Sequence, residues 1–121
     1  YPKNINDLNR HNFISYGRGN PSPVYNPDWA LKLGMKDNKK RKSAMKVNSV
    51  YGLLLAVQSG VGLSALPDYI TINQPNIVKV LPKVKGPITE AHFVYPQSMR
   101  NVARVQAFRN FLYSKISEWK F

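Results

Sequence analysis

No cysteine occurs among the 121 residues, which removes disulfide staples, thiolate metal sites and a cysteine nucleophile together. The absence fits either redox compartment. Histidine is almost as scarce: His11 and His92 are the only two, and neither has a second histidine or a carboxylate at metal-ligand spacing. Each reads as a structural or surface histidine. The six acids are scattered, with no pair spaced for general acid and base roles. Long apolar runs are missing too, since the longest, Val50 to Val57, falls far short of the roughly 20 residues of a membrane span. No glycine leads four residues later to Gly-Lys-Ser/Thr, so there is no phosphate loop. Ser49, His92 and Asp68 supply the residue types of a hydrolytic triad, but the nucleophile elbow Gly-x-Ser-x-Gly is lacking, because Val57 stands where Ser59-Gly60 would need its first glycine. These gaps argue against an enzyme and imply no cofactor and no metal.

What is present is positive charge and enough apolar material for a core. Eighteen Lys and Arg face six Asp and Glu, for a net charge of +12, and 43% of the residues are hydrophobic. That length and composition suit one compact domain. The chain begins Tyr-Pro-Lys-Asn, with neither an initiator Met nor a signal-peptide pattern, and reads as a piece of a longer polypeptide.

Along the chain, residues from Leu8 form a helix-free lead into a strand, His11 to Tyr16, whose aromatic and β-branched content favours extended structure. A loop follows at Gly17-Arg-Gly-Asn-Pro-Ser-Pro23, and Asn26-Pro27 adds a break. Asp28 then caps a short helix, Trp29 to Leu33, ended by Gly34. Lys36 to Lys46 holds six basic residues and one acid, Asp37, and reads as a solvated loop. Ala44 to Asn48 alternates like a strand, and Ser49 is a good N-cap for a helix from Val50 to Ser59. That helix is apolar nearly all round, which implies burial, with Tyr51, Leu54, Leu55 and Val57 in the core. Gly60 suits the left-handed position beyond the helix end, and Val61 to Leu66 reads as a buried strand. Strand, helix and strand make a βαβ unit, with parallel strands and ligand chemistry at their C-terminal ends. Further on, Pro67 and Asp68 open a short helix through about Ile72, and Asn73 to Asn76 is a turn. Ile77 to Leu81 and Glu90 to Tyr95 read as strands. Val102, Val105, Phe108, Leu112, Ile116 and Trp119 form the stripe of an amphipathic terminal helix, with Arg104, Arg109 and Lys115 on its other face.

The ordered series Leu8-Asn-Arg-His-Asn-Phe-Ile-Ser-Tyr16, Val47-Asn-Ser49 and Leu54-Leu-Ala-Val-Gln-Ser-Gly-Val-Gly-Leu-Ser-Ala-Leu-Pro-Asp-Tyr69 resembles LysR-type transcriptional regulators. Ile77-Val-Lys-Val-Leu-Pro82, Phe93-Val-Tyr-Pro96 and Arg104-Val-Gln-Ala-Phe-Arg-Asn-Phe-Leu112 resemble later segments of the same family. The resemblance implies the second half of the effector-binding region of a bacterial, cytoplasmic regulator. Its fold class would be α/β, a three-layer, Rossmann-like subdomain of a type-2 periplasmic-binding-protein fold with a mixed, mainly parallel sheet. Residues 8–96 would form the second effector-binding subdomain, and 97–121 a helix returning to the first. The implied partners are a small-molecule effector, promoter DNA through an N-terminal winged helix-turn-helix outside this sequence, and a second copy of the chain, since an apolar helix face without its usual layer seeks cover.

Two groups of residues carry candidate chemistry. Ser15, Tyr16, Gly17 and Arg18 at one strand end, with Asn48 and Ser49 at the helix entrance, suit an anion, because free N–H groups and the helix dipole attract negative charge. The plainer reading makes Ser49 only a cap and Arg18 only solvated. Ser64 and Pro67 join them as a cleft floor, or else serve packing and helix initiation. The second group, Lys39, Lys40, Arg41 and Lys42, suits non-specific nucleic-acid binding by counterion release, as in a free-standing basic module. No aromatic residue interleaves these charges and no recognition-helix pattern surrounds them, so they cannot specify a site. A solubilising loop is the plainer alternative. An exported solute-binding protein of the same fold is a third reading.

Overall fold

The computed structural model describes residues 1–17 and 26–119. It divides into two compact units, 1–89 and 90–121. The candidate site lies wholly in the first.

Two short strands, β1 (Ile14–Tyr16) and β2 (Met45–Val47), pair in parallel, with Ser15 opposite Lys46. Phe13 extends β1 by a parallel bridge to Leu63 on its other side. The bridge is a reciprocal pair of backbone bonds, Ile14 N–H to Leu63 carbonyl and Leu63 N–H to Asn12 carbonyl, both 2.8 Å. The expected βαβ unit therefore exists in a particular form: the chain leaves β2, passes through a helix and returns on the far side of β1. Beyond the Leu63 bridge the expected strand Val61 to Leu66 does not develop a ladder. Gly62 marks the contact, because a Cβ there would lie 2.4 Å from the Asn12 carbonyl oxygen.

Alternation along β1 sends its side chains to two cores. On one face Phe13 packs with Leu8 and with Leu31 of α1 (Trp29–Lys32). On the other, Ile14 packs with Leu53 and Ala56 of α2 (Val50–Gln58). Tyr16, Val47, Val57 and Leu66 complete this second cluster.

Helix α2 begins where its cap requires. Ser49 is extended, with φ −137° and ψ 133°, and its hydroxyl accepts the Gly52 N–H at 3.3 Å. Past its end Gly60 takes φ +74°, the left-handed conformation that favours glycine. The all-round burial expected of α2 is not found. Leu53, Leu54 and Ala56 are buried and Val57 is half-buried, but Tyr51 and Leu55 are 62% and 49% exposed. The helix covers only one face of a narrow sheet, so its outer side remains in solvent.

Several other expectations are corrected. The lead before β1 is not helix-free: residues Asn6–Arg10 form a 3₁₀ turn. Asn4 and Asp7 hold it by a reciprocal arrangement like a capping box, in which Asn4 Oδ1 accepts the Asp7 N–H and Asp7 Oδ2 accepts the Asn4 N–H, each at 3.1 Å. Asp28 occupies the N-cap position of α1 without a side-chain cap bond. Pro67 is the N-cap of α3 (Asp68–Thr71) and not part of its first turn. Residues 77–81 and 90–95 form no strand. Leu81 has φ 50°, Val78 is exposed, and β-rich sequence without a hydrogen-bonding neighbour stays irregular.

In the second unit, α4 (Ala103–Ser117) realises the terminal helix. Phe93 stacks edge-on to Phe108, with centroids 5.8 Å apart. No residue of α4 is buried. Among the described residues no helix is long and apolar enough to cross a membrane.

Two outcomes follow. Gly62→Ala forces the Leu63 segment off Asn12 and lowers stability by about 1–3 kcal/mol, the usual cost of overpacking, as read by urea unfolding. The Asp7 carboxyl, accepting the Lys3 N–H at 2.8 Å, is held below its ordinary pKa of 3.8, chiefly by that bond. Its contribution is present above the unfolded value and disappears as pH falls through the lower folded one. Asp7→Asn therefore flattens the acid limb of the stability profile.

Candidate functional site

Parallel strands leave their C-terminal ends at one edge, and here that edge brings Gly17 beside Asn48 and Ser49. The Gly17 N–H donates to the Val47 carbonyl at 2.8 Å, so the chain leaving β1 lies beside the chain leaving β2. The position for a Gly17 Cβ would be 3.6 Å from both the Asn48 backbone nitrogen and the Asn48 Cβ. Asn48 and Ser49 are exposed there, and Tyr16 and Gly17 half-buried. On the opposite flank of β1, Leu66 packs into the Tyr16–Val47 cluster and leads to Pro67. Ser64 and Pro67 are half-buried. Arg18 and the loop through Pro23 fall outside the described residues.

The edge has the chemistry of a hydrogen-bond donor surface. At the start of α2 the Ser49 carbonyl accepts the Leu53 N–H at 2.9 Å, while the Ser49 hydroxyl serves Gly52. The Val50 and Tyr51 N–H groups then have no acceptor within the helix and carry its positive dipole end. Ser49 is thus a cap first. Its hydroxyl accepts from the backbone and keeps its own proton to donate.

Ser15 does not join this edge through its side chain. Only 5% exposed, it donates to the Ser43 hydroxyl at 2.9 Å, and Ser43 stands within bonding distance of the Phe13 and Met45 carbonyls. Ser15 and Ser43 tie the segment before β2 to the face of β1 away from Ile14.

The basic run is the largest departure from expectation. Arg41 is not solvated. Its Nε donates to Asn9 Oδ1 at 2.7 Å and its Nη1 to the Leu33 carbonyl at 2.6 Å, with the Ala30 carbonyl at 3.5 Å. The Arg41 N–H donates to the Leu31 carbonyl at 2.9 Å, and the guanidinium lies 5.7 Å from the Phe13 ring centroid. Arg41 therefore closes the C-terminal end of α1 and joins it to the 3₁₀ turn. Partial burial lowers its pKa from the ordinary arginine value, yet an arginine stays charged at neutral pH. Lys40 pairs with Asp28 at 3.7 Å. Lys39 and Lys42 remain exposed. No periodicity in the run distinguishes its arginine from its lysines; only the planar fork, suited to carbonyl capture, hints at the difference.

Both histidines are exposed, and His92 approaches Glu90 at 3.7 Å. No cluster of metal-ligating side chains occurs among the described residues.

The first unit is a small α/β arrangement in which the ends of two parallel strands meet a capped helix entrance. Residues 2–116 match the model of the LysR substrate binding domain, and the chain belongs to that family, the effector-binding region of LysR-type regulators, with a periplasmic-binding-protein-like α/β fold. It is similar to an uncharacterized HTH-type transcriptional regulator of Haemophilus influenzae (strain ATCC 51907 / DSM 11121 / KW20 / Rd), at 26% identity over 99 residues, which cover 78% of this chain and 33% of the relative. The chain thus spans about a third of the length of the curated relative it matches. No solved structure matches.

Arg41→Lys keeps the charge and loses the fork. It should cost about 1–3 kcal/mol through carbonyls left unpaired, measured by chemical denaturation, whereas Lys39→Gln changes stability by less than about 0.5 kcal/mol.

Proposed function

We propose that the chain is the effector-sensing part of a LysR-type, DNA-binding transcriptional regulator, and that it holds a small anionic metabolite against the strand ends. The observation that carries the reading is the juxtaposition of Gly17, Asn48 and Ser49 beside the unpaired N–H groups of α2. Tyr16 and Pro67 border the same edge. Ser15 supports it from behind, Ser64 belongs to the floor, and Arg18 is assigned as a countercharge.

In this proposal residues 8–96 are one three-layer subdomain of a mainly parallel, Rossmann-like α/β fold. Residues 97–121 form the helix that returns to a partner subdomain, whose wall closes the cleft. The effector bridges the two. Only the difference between its affinities for the closed and open arrangements is available to shift them, and that difference is what the full regulator passes to promoter DNA through a helix-turn-helix. No step requires catalysis or a cofactor. Self-association through the apolar side of α4 belongs to the same proposal.

Family membership supports this reading over the free-standing nucleic-acid module and over an exported solute-binding protein. The test is calorimetric titration of the full-length regulator with a panel of small carboxylates and phosphate esters. One anion binds, and Asn48→Ala and Ser49→Gly each weaken it at least about tenfold. Ser49→Gly is informative because glycine keeps most of the capping preference, at a cost of only a few tenths of a kcal/mol. Unchanged affinity in both variants, or no anion bound at all, overturns the assignment.

A further inference from the structure

The face of the sheet away from α2 carries a cavity of about 310 Å³. It is lined by the cross-strand pair Ser15 and Lys46, by Tyr16, by Asp28 and Leu31, and by residues 40–43. The register explains the placement: Ile14 and Val47 turn toward α2, so their neighbours Ser15 and Lys46 turn the opposite way. Four cations, Lys40, Arg41, Lys42 and Lys46, line this cavity with a single acid, Asp28.

The four cations are not equivalent. Lys40 lies 3.7 Å from Asp28 Oδ2 and is partly neutralised. Arg41 is immobilised through Nε and Nη1, which leaves Nη2 without a hydrogen-bond partner among the described residues. Lys42 and Lys46 have no acid within ion-pair distance there. Arg41, Lys42 and Lys46 thus line one concave surface in excess over its single acid, with Arg41 held in place by Asn9 and the Leu33 carbonyl. Such a field favours a compact, multiply charged oxyanion. The volume is at the lower end of the range for small-molecule pockets, about 300–1,000 Å³. A duplex backbone is a convex rod whose phosphates would meet the outer lysines and not the recessed Arg41 fork, so the concavity favours a free ligand.

We infer that this cavity is a binding site for a small phosphate monoester or a dianion of like geometry, held by Arg41, Lys42 and Lys46 on the face opposite α2. The site adjoins the strand-end edge, with which it shares Ser15 and Tyr16, but its cations are separate from Gly17, Asn48 and Ser49 and it does not depend on the effector reading. It gives the basic run a role that its charge count alone leaves undefined.

The probe is inorganic phosphate, titrated into the protein at constant ionic strength with chloride as the balancing salt and followed by amide chemical shifts. Saturable shifts at residues 40–46 are expected. Lys42→Gln with Lys46→Gln weakens binding at least about tenfold, while Lys36→Gln with Lys39→Gln, the same charge change outside the cavity, alters it less than about twofold. Asp28→Asn tightens phosphate by removing the opposing charge. Circular dichroism on each variant establishes that it is folded. Equal losses in both double variants would mean general attraction to a cationic surface and would overturn the site. So would phosphate shifts no larger than those of chloride, or saturable binding of a short DNA duplex through Lys42 and Lys46 with none of phosphate. Failure of the Asn48 and Ser49 variants to affect an effector leaves these outcomes unchanged, because neither residue lines this cavity.

Discussion

The first unit depends on β1 having two buried faces. Phe13 and Ile14 are 3% and 2% exposed, and consecutive strand residues necessarily point to opposite sides. One side chain anchors the 3₁₀ turn and α1, the other anchors α2. The backbone between them bonds to the β2 segment on one edge and to Leu63 on the other. A change in β1 register by one residue would exchange the two cores and bring Ser15 into an apolar one. Everything placed at the strand ends inherits its position from that pairing.

Much of this arrangement was legible because local chemistry and long-range packing agree. Ser49, the apolar stretch after it and Gly60 define a helix by its cap, its body and its stop, and the structure has all three. The stripe from Val102 to Trp119 likewise gives α4 nearly to the residue. Strands were harder. Ile77 to Leu81 has strand composition, yet extended backbone is stabilised by a neighbour that the sequence does not name. β1 has such neighbours on both sides, whereas residues 77–81 have none among the described residues. Helix signals are carried within a turn or two, and sheet signals are shared between distant segments.

The candidate sites show the same division. Gly17, Asn48 and Ser49 could be grouped from sequence because parallel strands must end together. The side chain of Ser15 could not be assigned to the opposite face without the register. Arg41 was hidden among lysines of equal charge, and its role comes from the carbonyls at the end of α1, which only the folded chain brings within reach. Asn4 and Asp7 were a missed local signal, since a polar residue followed three positions later by an acid is a recognisable helix-start pattern.

The parallel pair also has an asymmetry. β1 is flanked on both sides, but β2 has no strand beyond it among the described residues. Its outer backbone groups offer a template on which a stray extended segment can dock. Met45 is 45% exposed at that border, while the neighbouring Lys46 sets a charge in the way. The same lysine that lines the cavity on the face away from α2 thus also stands at the open border of the sheet, where a charge discourages a further strand from pairing.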